Sequence, residues 1–344
     1  MKKKPVVAIL GATGAVGQEF IRLIEERKFP YSAIKLLASA RSVGKKMAVN
    51  GVEYAVEEAT AASFAGVDIG LFAGGSISKV LAPEAVQRGC VVIDNSSAFR
   101  MDPQVPLVVP EVNAADIALH KGIIANPNCS TIIMLMALKP IYDLSPITKI
   151  VVSTYQAVSG AGKEAIEELR EEVSAYMRGE PMMPKILPTK SLPVHYPIAF
   201  NLIPHIDVFL DNAYSKEEMK MVHETHKILH DHTIAVSPTT VRVPVFRSHA
   251  EAIYAETATA LNVEDIRNAI QQFPGVQVQD DLEHMQYPMP LYTSEKYDCY
   301  VGRIRKDLFN PKAVNLWVSG DQIRKGAALN ALQIAEYMLA HNML

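Results

Sequence analysis

The sequence predicts an α/β protein of two domains, a doubly wound and largely parallel sheet followed by an α+β domain with a mostly antiparallel sheet. Three observations predict it. Apolar β-branched runs alternate with amphipathic helical stretches through the first third of the chain. A glycine string joins the first such run to the first helix. Past residue 148 the runs become longer, richer in Val, Ser and Thr, and spaced as in an antiparallel sheet.

At 344 residues the chain has room for about two cores. Its 34 Lys and Arg against 37 Asp and Glu give a net charge of −3, which argues against nucleic acid or an anionic membrane surface as a partner. Cysteines 90, 129 and 299 lie far apart with no C-x-x-C pair, which suits a reducing compartment rather than a disulfide framework. Lys2-Lys3-Lys4 is followed by an apolar run too short for a signal peptide or a membrane span, so a cytoplasmic protein is expected.

The first strand is expected over residues 5–10, ahead of Gly11-Ala12-Thr13-Gly14-Ala15-Val16-Gly17. A helix follows with Val16, Phe20, Leu23 and Ile24 on one face. Strand, glycine turn and helix are the context of a dinucleotide site of Rossmann type, although G-x-x-G-x-x-G departs from the usual G-x-G-x-x-G. The second strand, residues 34–38, ends in Ser39-Ala40-Arg41-Ser42. An NAD binder carries an acid there for the ribose; an arginine between two hydroxyls suits a 2′-phosphate, and NADP is expected. A third strand is expected over 67–72. Ser76 is the expected N-cap of a helix reaching residue 88, and a fourth strand spans 90–93 with Cys90 in the core. That strand leads to Asp94-Asn95-Ser96-Ser97-Ala98-Phe99-Arg100, at the carboxyl edge where such sheets bind ligands.

A strand over 122–125 runs into Asn126-Pro127-Asn128-Cys129-Ser130-Thr131-Ile132, and an apolar helix leads out. Cys129 therefore falls at a helix N-terminus, where unpaired N–H groups and the helix dipole favour a thiolate and can hold an oxyanion. The plainer alternative is a small buried hydrophobe. Residues 148–158 form a long strand, and Ser159-Gly160-Ala161-Gly162-Lys163 opens a charged helix. This is no P-loop, because Ala157 stands where the first glycine belongs and Glu164 where Ser or Thr is needed.

Residues 181–204 hold six prolines and read as an irregular excursion. A polar helix is expected over 211–230. Residues 233–245 and 250–261 read as paired antiparallel strands with Arg242 and His249 near their turn. Strands at 300–304 and 314–318 and an amphipathic helix at 325–340 complete the chain. His223, His226 and His230 share a helix face but lack the companions of a zinc site, so no metal is expected.

Taken in order, these motifs resemble the bacterial aspartate-semialdehyde dehydrogenases. The match rests on residues 11–17, 39–42, 94–100, the run Val108-Val109-Pro110-Glu111-Val112-Asn113, and residues 126–131. It continues through Ser153-Thr154-Tyr155-Gln156-Ala157-Val158-Ser159-Gly160-Ala161-Gly162, Glu217-Glu218-Met219-Lys220, Val241-Arg242-Val243-Pro244 with His249, and Lys325-Gly326-Ala327-Ala328. The resemblance implies NADPH-dependent reduction of L-aspartyl 4-phosphate to L-aspartate 4-semialdehyde and phosphate. That reaction serves lysine (through diaminopimelate), threonine, methionine and isoleucine biosynthesis. It also implies a homodimer, a Rossmann domain of residues 1–129 and 321–344, and a catalytic and dimerisation domain of residues 130–320 resembling that of glyceraldehyde-3-phosphate dehydrogenase.

By the same resemblance Cys129 is the nucleophile that forms a thioester, and His249 is the general acid/base, a role suited to an imidazole titrating near neutrality. Gln156 and Asn128 orient the reacting carbonyl, Arg242 grips the α-carboxylate, and Glu218 answers the α-ammonium. Arg100 and Lys220 bind phosphate. Gly11, Thr13, Gly14, Ala15, Val16, Gly17, Ser39, Arg41 and Ser42 hold the adenosine and pyrophosphate side of the cofactor, and Ser159, Gly160 and Gln322 the nicotinamide side. Three readings compete: N-acetyl-γ-glutamyl-phosphate reductase, whose acylated substrate has no ammonium for an acid to meet; glyceraldehyde-3-phosphate dehydrogenase, disfavoured because Arg41 suits NADP and the Arg242/Glu218 pair an amino acid; and a non-catalytic NADP-binding protein on the same fold.

Overall fold

The computed structural model describes residues 4–344, so Lys2 and Lys3 of the basic triplet lie outside the described residues. The described residues form two compact units: residues 4–128, 227–229 and 326–344 make the first, and residues 129–226 and 230–325 the second.

In the first unit β1 (Val6–Leu10) leads to α1 (Ala15–Glu26) and then β2 (Ala33–Ala38). A hairpin of β3 (Lys46–Val49) and β4 (Val52–Glu58) follows. After it come β5 (Ile69–Phe72), α2 (Ser78–Gln87), β6 (Val91–Asp94), the single turn α3 (Pro110–Asn113) and β7 (Ile123–Ala125). The sheet order is β3-β4-β2-β1-β5-β6-β7, parallel throughout except for β3 on β4. The central strands are buried on both faces, which is why they appear as unbroken apolar runs such as Ile-Gly-Leu-Phe in β5. The sequence reading passed over β3 and β4, which are short and mostly exposed; Asn50-Gly51, both at positive φ, form the tight turn between them. Ser76 is not the cap of α2. Gly75–Ile77 form a short 3₁₀ turn of their own, and α2 starts from Ile77 with no side-chain cap.

The second unit is built around α4 (Cys129–Leu144), a helix apolar on nearly all sides and buried along its length. Then come β8 (Ile147–Gln156), a 3₁₀ turn Val158–Ala161, α5 (Lys163–Met177), α6 (Lys216–Leu229), β9 (Ala235–Arg242) and β10 (His249–Thr257). They are followed by α7 (Val263–Gln272), β11 (Val276–Val278), α8 (Pro290–Thr293), β12 (Cys299–Lys306) and β13 (Ala313–Gly320). The sheet order is β11-β12-β13-β10-β8-β9. β9 and β10 are not partners, contrary to the expected hairpin. β8 lies between them, parallel to β9 and antiparallel to β10. The six residues 243–248 cross the end of β8, a step of two strand spacings or about 10 Å that they span easily.

The irregular stretch after α5 is fastened by two buried glutamates of that helix. The Glu168 carboxylate accepts the backbone N–H groups of Lys185, Ile186 and Leu187, and Glu172 those of Ile198 and Ala199. After β13 a π-helical turn, Arg324–Ala328, leads into α9 (Leu329–His341), which packs against α1, α3, β5 and β6 of the first unit. Among the described residues no helix is long and apolar enough to cross a membrane.

Candidate active site

The site of the second unit is laid out by strand register. Alternate residues of β8, β9 and β10 are buried on one face of the sheet, and across the strand ends this gives rows. Arg242 on β9 pairs with Gln156 on β8, and the β8–β10 pairing carried one place on sets His249 beside Gln156. The next row in is Thr240, Thr154 and Glu251; the one after is Pro238, Val152 and Ile253. Polar chemistry is thus confined to the strand ends, above an apolar floor.

Cys129 is the first residue of α4, as its spacing predicts, and its Sγ lies 3.4 Å from His249 Nε2. His249 is fully buried. Its Nδ1 accepts the Ala157 backbone N–H at 3.1 Å, and Gln156 Nε2 is 3.4 Å from its Nε2. Gln156 is fixed at both ends: Thr154 Oγ1 donates to its Oε1 (3.0 Å), and its Nε2 donates to Glu217 Oε1 (3.1 Å). Burial, reinforced by the Arg242 charge and only partly offset by Glu217, pushes His249 down to about 3. The expectation of an imidazole titrating near neutrality is therefore corrected, because every face of the ring is desolvated.

Arg242 is buried, and its Nη1 donates to Ala157 O at 2.7 Å while its Nε has no partner. Burial lowers its pKa against the opposing charges of Glu217 and Cys129. A guanidinium with part of its fork unspent in a closed site is suited to a carboxylate. Gly160 lies against it: a Cβ there would come within 2.9 Å of Arg242 Nη1 and 3.4 Å of His249 Cε1.

Glu218 does not take the place expected for it. With Ser215 it forms a capping box on α6: Glu218 N–H donates to Ser215 Oγ (3.2 Å), and its carboxylate accepts the N–H groups of Ser215 (2.7 Å) and Thr240 (3.0 Å). The carboxylate that reaches the site is its neighbour Glu217, buried beside Gln156 and bonded to Lys220 at 3.0 Å. The sequence held the signal, since Ser215-x-x-Glu218 is a capping pattern and turns Glu217 to another face. Lys220 also bonds Asp207 at 2.9 Å; burial works against its charge, but the two carboxylates outweigh it and raise its pKa.

Gln322, expected near the nicotinamide, has both ends of its amide engaged within the protein. Its Nε2 donates to Ser159 Oγ and its Oε1 accepts the Ser248 N–H at 2.8 Å, so it ties the 3₁₀ turn to the residue before His249. Glu251, which sequence reasoning passed over, is fully buried with neither carboxylate oxygen hydrogen-bonded, and burial with nearby Glu217 raises its pKa well above the usual carboxylate range.

In the first unit the loop toward Cys129 is held by an amide ladder. Asn330 Nδ2 donates to Asn126 Oδ1 (2.7 Å) and Val108 O (2.9 Å), and Asn126 Nδ2 to Asn95 Oδ1 (3.0 Å). Arg100 donates from Nε to Asn126 O and from Nη2 to Asn95 O, both at 2.9 Å. Asn128 is buried immediately before Cys129. The sheet order reverses between β1 and β5, the switch point where dinucleotides bind. Gly11 sits there at φ 82°, and a Cβ on it would be 2.5 Å from Ala73 O; a Cβ on Gly17 would be 2.2 Å from Gly11 O. Only glycine fits either place, and α1 starts at Ala15 with its N–H groups toward the loop. Thr13 Oγ1 is 3.4 Å from Ser42 Oγ in the turn Ala40–Ser42 after β2, while Ser39 and Arg41 are exposed. These residues fit a dinucleotide. Among the described residues no cluster of His, Cys, Asp or Glu could hold a metal, and His226 spends Nε2 on Ile234 O at 2.8 Å.

Residues 6–120 match the family model for the semialdehyde dehydrogenase NAD-binding domain, and residues 138–325 that for the semialdehyde dehydrogenase dimerisation domain. The aspartate-semialdehyde dehydrogenase of Bacillus subtilis is 52% identical over 340 residues, 98% of each chain. That of Aquifex aeolicus is 51% identical over 98% of this chain and 99% of its own. The crystal structure of aspartate semialdehyde dehydrogenase II from Vibrio cholerae, complexed with ASA, superposes with a TM-score of 0.93 at 45% identity over 98% of this chain and 99% of that one. With both halves matched in order and full-length relatives at this identity, the chain belongs to the aspartate-semialdehyde dehydrogenase family.

Proposed function

We propose that the chain reduces L-aspartyl 4-phosphate to L-aspartate 4-semialdehyde and phosphate, acting as a cytoplasmic homodimer, with the first unit binding NADP and the second carrying catalysis and dimerisation. The observation that carries this reading is a cysteine at the start of α4 with its sulfur 3.4 Å from a buried imidazole, beside a buried arginine and glutamate of opposite charge.

Cys129 Sγ attacks the acyl carbon, the C–O bond to phosphate breaks, and a thioester remains on the sulfur. NADPH, when bound, supplies the hydride for this carbonyl, after which the C–S bond breaks, the semialdehyde leaves and the Cys129 thiolate is restored. Gly11, Thr13, Gly14, Ala15, Val16 and Gly17 at the start of α1 hold its pyrophosphate, and Ser39, Arg41 and Ser42 its 2′-phosphate. Ser159 and Gly160 line the nicotinamide side, with Gln322 supporting that turn. The N–H of Gln156 and the start of α4 are donors for negative charge developing on the carbonyl oxygen, with Asn128 orienting the substrate. Arg242 meets the α-carboxylate, and Glu217 rather than Glu218 meets the α-ammonium. Lys220 and Arg100 meet the phosphate. An ammonium partner in the site disfavours the N-acetylated rival.

The test is phosphate-dependent NADP reduction with each semialdehyde. Turnover of L-aspartate semialdehyde, lost by several orders of magnitude in Cys129→Ser, is the expected result. Turnover of the N-acetylglutamate compound alone, or a fully active Cys129→Ser enzyme, refutes the proposal.

A further inference from the structure

We infer that the Ala157 backbone amide is a positioning group that fixes His249 as the neutral imidazole with its proton on Nε2, directed at the Cys129 sulfur. This rests on the proposed role of Cys129 and on the acid/base role that the resemblance implies for His249, and narrows the latter.

A backbone N–H only donates, so the Ala157 N–H, 3.1 Å from Nδ1, requires a lone pair on that nitrogen. An imidazolium or the other tautomer would set two N–H groups against each other there. The amide has no slack with which to turn away. Gln156 O accepts Val243 N–H at 3.0 Å, Ala157 O accepts Arg242 Nη1 at 2.7 Å, and Val158 N–H donates to Val245 O at 2.9 Å. The peptide is therefore held on both sides by the chain leaving β9.

The other ring nitrogen must then carry the proton, and its neighbours decide where it points. Gln156 Nε2, at 3.4 Å, is itself a donor, because its Oε1 is taken by Thr154 and its Nε2 faces the Glu217 carboxylate. The acceptor is Cys129 Sγ, also at 3.4 Å, within the range for a sulfur hydrogen bond. The charged or titratable groups that bear on the ring are Arg242 from β9, Glu217 from α6 and Cys129 from α4, and Glu251 stands two residues along on the same strand. In this form His249 stabilises negative charge on the sulfur, or on an oxygen formed beside it, by donation. It presents no lone pair to the thiol, and so is not the base that would take the thiol's proton.

Long-range ¹H–¹⁵N correlation spectra of the full-length protein labelled on histidine nitrogen read the tautomer directly, with His249 assigned by the signal missing in His249→Asn. The expected result is one protonated Nε2 and one bare Nδ1, unchanged from about pH 5.5 to 9. A proton on Nδ1, or a titration with a midpoint near the free value of about 6.5, overturns the inference. The spectrum is taken without turnover, so it can fail while Cys129→Ser still abolishes activity. Conversely, it can hold in a protein that does not reduce the proposed substrate.

Discussion

Gly160→Ala tests how closely the site is packed around Arg242. Gly160 is not among the residues at positive φ, so alanine meets no backbone strain, and the change by itself stiffens the unfolded chain in favour of folding by about 0.4–1 kcal/mol. The added methyl would lie 2.9 Å from Arg242 Nη1, half an ångström short of an ordinary contact at 3.4 Å. Moving the guanidinium by that amount stretches its 2.7 Å bond to Ala157 O toward about 3.2 Å, the long end of the hydrogen-bond range. A 1 Å misplacement of a positioning group costs up to about 10²-fold in rate, so half of that predicts roughly a tenfold fall in kcat/KM for L-aspartate semialdehyde. Initial rates of phosphate-dependent NADP reduction give the first number, and a thermal scan gives Tm, expected to stay within about 2–4 °C. A variant within twofold of wild type in kcat/KM would show that Arg242 is not held where the argument needs it. A variant that simply unfolds earlier would show that the methyl is absorbed by the fold instead.

Glu217 and Glu218 are adjacent but should fail differently. Glu217→Gln is expected to raise KM for the semialdehyde about 10- to 100-fold with little change in Tm, as for a lost charge-assisted bond to substrate, whereas Glu218→Ala should leave the kinetic constants near wild type and cost about 0.5–2 kcal/mol of stability as a lost cap. Exchange of these two outcomes in kinetics and melting would return the ammonium role to Glu218. Arg41→Ala should lower the preference for NADP over NAD about tenfold or more by removing a charged partner of the 2′-phosphate, and an unchanged ratio of kcat/KM for the two cofactors would count against that partner. Glu251→Gln should flatten the pH dependence of stability. The folded chain keeps a proton on Glu251 that the unfolded chain loses above about pH 4.5, so wild-type stability falls by up to about 1.4 kcal/mol per pH unit from there up to the raised native value. The glutamine lacks that proton, and denaturant melts at acid and alkaline pH that show the same slope for both proteins would refute it.

The first unit was readable because a parallel sheet buried on both faces writes its strands as continuous apolar runs, and because the glycine string is dictated by backbone so close that a Cβ on Gly17 would lie 2.2 Å from Gly11 O. The hairpin β3–β4 and the pair α7 and β11 were missed. The former is an exposed edge with little apolar signal, although Asn50-Gly51 was there to find it; α7 was announced by Asn262 as N-cap with Glu264 and Asp265 in its first turn. The pairing of β9 with β8 rather than β10 could not be read, since alternation along a strand is the same whichever neighbour it has. Cys129 at the start of α4 was legible from Pro127 and the apolar run, and the resemblance supplied His249 and Arg242 as its companions. The depressed pKa of His249 was not legible. It is set first by burial and then by the Arg242 charge on β9, only partly offset by Glu217 on α6, and these meet only in the folded chain.

The rows across β9, β8 and β10 tie chemistry to folding more tightly than a loop-borne site would. Arg242, Gln156 and His249 share a face with Val152 and Ile253, so a slip of one strand by a single residue would throw its member of the trio to the far side of the sheet and its apolar partner with it. A chain that has reached the right alignment has, in the same event, assembled its reactive centre, and a misaligned one forfeits both.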